Sequence, residues 1–159
     1  MDYTALVSRW FHVGGAIILV GGGAFLRFVL APVAETLPDA EHLALRQGIM
    51  ARWRRFVHPL VGVLFLSGCL NFWLRLESGM PSTWHALAGF HLLLGLYVLF
   101  IASALVGRSA GLANLRANWK HWLLVNVAVA FVAVMLSGAA RFILPKAVEA
   151  AKVPTPASR

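Results

Sequence analysis

Four apolar runs, each long enough to cross a lipid bilayer, decide what this chain of 159 residues can fold into. The clearest is Phe56–Leu74, entered through Arg52-Trp53-Arg54-Arg55. Cations set against hydrocarbon mark a membrane interface, and about 20 apolar residues cross the bilayer core as one helix. The other runs extend from about Val7 to Leu30, Trp84 to Val106 and His121 to Leu144. Composition agrees, with 60% of residues hydrophobic and only 13% charged. A mean hydropathy of +0.76 excludes an ordinary soluble domain. The sequence therefore predicts an all-α integral membrane protein, a four-helix antiparallel bundle over residues 1–145 with a C-terminal tail over 146–159.

The connections are short. Between the first two spans, Ala34–Ala51 carries Asp39 after Pro38 as an N-cap and a loose apolar face of Leu43, Leu45, Ile49 and Met50. That pattern predicts a short amphipathic helix on the membrane surface, with His42 solvated. Pro59 is expected to start or bend the second span, because it has no N–H and disfavours helical geometry at His58. Met80-Pro81-Ser82 reads as a turn, and the segment after Pro145, with Pro154 and Pro156, reads as a turn and a loose end. Asp2 precedes the first apolar run, and Arg9 and His12 lie within it, so that run reads as a retained span.

Several function classes are disfavoured. The net charge of +8 sits at span ends, where anionic lipid or acidic ligand groups are the natural counterions and nucleic acid is not. The single Cys69 permits no intrachain disulfide and no thiolate metal cluster. All six acids (Asp2, Glu35, Asp39, Glu41, Glu77 and Glu149) lie in ends or loops, unlike the mid-membrane acid of a proton-coupled transporter. No nucleophile–base–acid set for hydrolysis is visible. Met1, Met50, Met80 and Met135 are scattered, so a metal pathway has only histidines to draw on.

The histidines carry the chemistry. An ionisable ring in hydrocarbon is costly without a partner and marks a functional site by default. Antiparallel threading puts His12 and His91 towards the side with both termini, and His58 and His121 towards the other. His91, seven residues past Trp84 and about 10 Å along the axis, is the deepest. Facing histidines in a bundle hold haem iron, since neutral imidazole is a good axial ligand. Gly15 near His12, Gly62 one turn from His58 and Gly95 one turn from His91 offer clearance for a macrocycle. His58, Gly62, Phe65 and Cys69 share one helix face. Arg9, Arg27, Arg52, Arg54, Arg55 and Arg141 are candidate partners for haem propionates. The bland alternative is that interfacial histidines such as His85 bond to backbone or head groups, and that the glycines only pack helices.

Three segments carry a resemblance. They are His12-Val-Gly-Gly followed by Gly21-Gly-Gly-Ala-Phe-Leu-Arg27, the run Ile49-Met-Ala-Arg-Trp-Arg-Arg55 with Ser67-Gly68, and Trp84 leading to His91. Together they resemble the HemJ/CopD-like superfamily of small four-helix bacterial membrane proteins, which includes a protoporphyrinogen oxidase and a copper-resistance domain. The resemblance is at pattern level and covers spans one to three. It implies b-type haem bound through the first-span histidine, which His12 matches. The HemJ-like pattern expects a lysine where this chain has His91. That departure counts against protoporphyrinogen oxidation and favours bis-histidine ligation, because an ammonium cannot ligate iron.

The expectation is one or two b-type haems held by His12 and His91 and by His58 and His121. The expected role is transmembrane electron transfer or haem-linked oxidoreduction, with a quinol- or porphyrinogen-like reductant, in a bacterial inner membrane. A copper or other metal transport or resistance protein, and a structural subunit of a larger membrane complex, stay open as alternatives. Lys and Arg are more numerous on the side of Arg52–Arg55 and Arg108–Lys120, which predicts periplasmic termini. The glycine-rich first span is a candidate homodimer contact.

Overall fold

The computed structural model describes residues 3–76 and 82–152, with side chains as far as residue 140. Helix α1 (Tyr3–Phe25) passes through a π-helical turn (Leu26–Leu30) into α2 (Ala31–Ala34). Helices α3 (Asp39–Leu76) and α4 (Ser82–Val106) follow. A 3-10 turn (Ala110–Leu112) and the short α5 (Ala113–Ala117) lead to α6 (Trp119–Lys152). Four stretches, Tyr3–Ala34, Asp39–Leu76, Ser82–Val106 and Trp119–Ala140, are long and apolar enough to cross a membrane. The shortest has 22 residues. At 1.5 Å per residue it rises about 33 Å, which covers the hydrocarbon core. The chain is a multi-pass helical membrane protein.

Packing runs in a ring: α1 on α3, α3 on α4, α4 on α6, and α6 back on α1. Helices α1 and α4 therefore face each other across a diagonal, as do α3 and α6. The core gathers Leu19, Val57, Leu64, Ala102 and Val106, with Trp53, Leu60 and Leu99 against it. Large apolar side chains such as Ile17, Phe28, Leu66, Phe100 and Phe131 point outwards, as lipid-facing residues do. Two first-span glycines are spent on close approach to α3. A Cβ on Gly15 would stand 3.3 Å from Leu64 Cγ, and the ring of Trp53 occupies the space a Gly22 Cβ would need.

The helices run through positions where proline or a change of pattern predicts a break. The segment read as a surface helix is helical from Asp39, but it runs without interruption into the second span. Pro59 lies inside that helix instead of starting it. Pro32 is likewise absorbed. The π turn just before it widens the backbone where the ring would press on the preceding turn. Beyond Pro145, where a turn was expected, α6 continues to Lys152. Neighbouring helices tolerate such prolines in a membrane better than water does. The turn at Met80-Pro81, the tail prolines Pro154 and Pro156, and the side chain of Arg141 lie outside the described residues.

Polar contacts close one end of the bundle. Lys120 Nζ pairs with the Glu35 carboxylate, and Arg27 Nε donates to the Lys120 carbonyl at 3.1 Å, tying the end of span one to the start of α6. His42 is not simply solvated. It is half-buried, and its Nδ1–H donates to the Ala34 carbonyl at 2.8 Å, fixing the start of α3 to the end of α2.

Candidate functional site

His12 on α1 and His91 on α4 meet across the diagonal of the bundle. Their ring centroids are 6.5 Å apart, with the planes inclined at 51°. Both side chains are half-buried. His12 Nδ1 lies 3.0 Å from Ser67 Oγ on α3, and His91 Nδ1 lies 3.0 Å from the Ala133 carbonyl on α6. All four membrane-spanning helices thus contribute to one site.

The partners settle which nitrogen carries the proton. A carbonyl only accepts, so His91 Nδ1 is the N–H donor. The Ser67 hydroxyl proton is directed to the Val63 carbonyl at 2.6 Å, so its oxygen accepts from His12 Nδ1–H. Ser8 Oγ in turn donates to the Ser67 carbonyl at 3.3 Å, which pins α1 to α3 one turn from the histidine. In the neutral form both rings then carry the lone pair on Nε2. A metal-ligating histidine usually donates its other ring N–H to a carbonyl, hydroxyl or carboxylate that orients the ring. Gly68 completes the seat, since a Cβ there would come 3.3 Å from His12 Cε1.

The second expected pair is not assembled. His58 and His121 are both exposed, and no contact among the described residues joins them. His58 faces a shallow basic recess with Arg54, Arg55 and Arg108, and His121 stands against Trp122. The face of α3 that carries His58, Phe65 and Cys69 looks outwards, while Val57, Leu64 and Ser67 line the inner face. Both faces are apolar, and lipid rewards neither over the other, so periodicity could not tell them apart. Gly62 and Gly95, one turn from His58 and His91, have no atom within 4 Å of where a Cβ would stand. Gly15 is filled by Leu64.

The arginines divide by distance. Arg9 is exposed and lies one turn from His12. Arg27 is fifteen residues from His12 on the same span, and Arg52 is fifteen from Ser67; each separation is roughly 22 Å along a helix. Arg55 is about 18 Å from Ser67 by the same measure. Arg27, Arg52 and Arg55 are therefore at the opposite end from the histidine pair and cannot reach a group bound there.

Ser67, Ser8, Gly68 and the Ala133 carbonyl are contacts of the candidate site that the residues alone do not single out. Ser67-Gly68 was visible only as part of a resemblance. What identifies its role is the register between α1 and α3, which a single sequence does not fix. A comparison with protein-family models, curated proteins and solved structures finds no match to this chain.

Proposed function

We propose that this protein binds one b-type haem through His12 and His91 and acts in transmembrane electron transfer or haem-linked oxidoreduction. The observation that carries the reading is the pair itself, two half-buried imidazoles 6.5 Å apart with Nδ1 of each engaged, so that ligation falls to Nε2 in this reading. A metal at about 2 Å from each of two imidazole nitrogens sets the ring centroids roughly 6 Å apart. The donor number also favours haem. Haem iron brings four nitrogens and asks the protein for two, whereas a side-chain copper or zinc site asks for three or four. Among the described residues no group of three His, Cys, Asp or Glu gathers. The copper alternative therefore has the weaker support.

In this reading haem supplies one-electron chemistry, with a quinol- or porphyrinogen-like molecule as reductant. Ser67 and the Ala133 carbonyl orient the two rings and raise their basicity, and the surrounding apolar helices exclude water. Among the candidate arginines with described side chains, Arg9 is the one placed to meet a propionate. The HemJ/CopD-like likeness, the bacterial inner membrane and periplasmic termini belong to the same proposal. The test is the absorbance of the protein purified from haem-replete cells. Sharp α and β bands on reduction and one haem per chain support it. A colourless protein, or two haems per chain, would contradict it.

A further inference from the structure

The end of the bundle away from the histidine pair encloses a cavity of about 330 Å³, lined by residues of all four spans. On α1 and α4 it reaches Leu19 and Val98, each seven residues, or roughly 10 Å, from His12 and His91 respectively, and on α6 it reaches Ala130, one turn from the Ala133 carbonyl that His91 engages. Most of the lining is apolar, but Arg46, Arg54 and Arg116 converge on it. All three are half-buried. Each is held by a backbone carbonyl: Arg46 Nη2 donates to Arg116 O at 3.2 Å, Arg54 Nε to Val106 O at 2.5 Å and Arg116 Nη2 to Ser109 O at 2.6 Å. No carboxylate lines the cavity, and among the described residues none pairs with these arginines. Three guanidinium groups held together beside hydrocarbon repel one another unless an anion joins them.

Two polar atoms there lack partners among the described residues. Arg116 Nη1 and Asn126 Oδ1 are buried without a hydrogen bond. Asn126 is only 7% exposed and lines the cavity seven residues beyond Trp119, about 10 Å deeper along α6. Buried polar side-chain atoms are normally satisfied, so each of these two calls for a group the chain does not provide. The first needs an acceptor near the arginines; the second needs a donor deep in the apolar part.

We propose that this cavity binds an acidic amphiphile. Its carboxylate or phosphate head is clasped by Arg46, Arg54 and Arg116, its apolar body lies along Leu19 and Leu123, and a hydroxyl or N–H on that body donates to Asn126. The source is either a free hydroxy acid, which meets the arginines and Asn126 together, or a membrane phospholipid, which shares the head-group chemistry and meets the arginines alone. The arginine end of the cavity lies away from the histidine pair, and the head-group contacts proposed for it do not depend on haem.

The test uses the full chain in phosphatidylcholine nanodiscs, titrated with ω-hydroxydecanoate and, separately, with its methyl ester, empty discs being subtracted. One saturable site for the acid, with the ester bound about tenfold more weakly or worse, is the expected result for a free acid. R116Q and R54Q weaken the acid about tenfold, while N126L weakens ω-hydroxydecanoate but leaves plain decanoate unchanged. Native mass spectrometry of the protein from cell membranes serves the other source. One anionic phospholipid retained by the wild type and lost from R116Q assigns a membrane lipid. Equal partitioning of acid and ester together with no retained phospholipid overturns the proposal, and that comparison is made on the wild-type chain, so a misfolded variant does not obscure it.

Discussion

His12 Nδ1 and Ser67 Oγ, fifty-five positions apart in sequence, lie 3.0 Å from each other and join α1 to α3 at the centre of the proposed site. The serine hydroxyl is itself committed to the Val63 carbonyl, so it can only accept from the imidazole. S67A removes that acceptor and frees the His12 ring to turn. Loss of such an orienting partner typically weakens metal binding about 10- to 100-fold. Haem titration of the apoprotein checks this, with S67T restoring affinity because it keeps the hydroxyl. Unchanged affinity in S67A would remove Ser67 from the site.

The glycine run of the first span separates into packed and open positions. Gly22 lies under the Trp53 ring, whereas a Cβ on Gly21 meets nothing within 4 Å. G22A must push the indole aside, and overpacking of this kind costs about 1–3 kcal/mol. G21A should fall within roughly 0.5 kcal/mol of the wild type, as substitutions away from packed contacts do. Reversible unfolding in mixed micelles distinguishes the two. Equal effects would mean that α1 and α3 do not approach as described.

The Glu35–Lys120 pair gives a pH signature. Hydrogen bonding and charge from Lys120 hold the Glu35 carboxyl below the ordinary glutamate range. A depressed folded-state pKa means that the stabilisation is complete above the unfolded value and is lost as pH falls through the folded one. E35Q should therefore differ slightly from the wild type at neutral pH and converge with it in acid. Both groups are largely exposed, so the difference is small and shrinks with salt. Unfolding midpoints compared from neutral to acid pH at two salt concentrations provide the check.

His58 and His121 are exposed and apart, so H58A and H121A should keep full haem content and an unshifted spectrum. R27Q, R52Q and R55Q should do the same, because those side chains lie at the far end of the bundle. R9Q, in contrast to these three, should shift the haem midpoint potential. Pyridine haemochrome content and redox titration of the five variants and R9Q measure this. Loss of haem in H58A would reverse the assignment.

The fold was largely legible because the bilayer imposes it. Four apolar runs of spanning length admit few arrangements, and antiparallel threading alone places His12 and His91 towards one side and His58 and His121 towards the other. What was illegible depends on contacts between helices. His58 sits on an outward face because apolar residues surround α3 on every side, so a period of 3.6 residues carries no inward label in lipid. Pro59 and Pro145 were read by rules learned in water, and both are carried inside helices. Ser67 gained its role from a register that only packing determines. The arginines looked like one rim along the sequence, yet the rise per residue separates Arg9 from Arg27, Arg52 and Arg55.

Axial ligation by His12 and His91 is the central claim, and low-temperature electron paramagnetic resonance of the oxidised, haem-loaded protein tests it most directly. The wild type should show a low-spin ferric signal from two imidazoles. H12A and H91A should each lose that signal, giving a high-spin five-coordinate haem or none. A low-spin signal that persists unchanged in H91A would contradict the assignment.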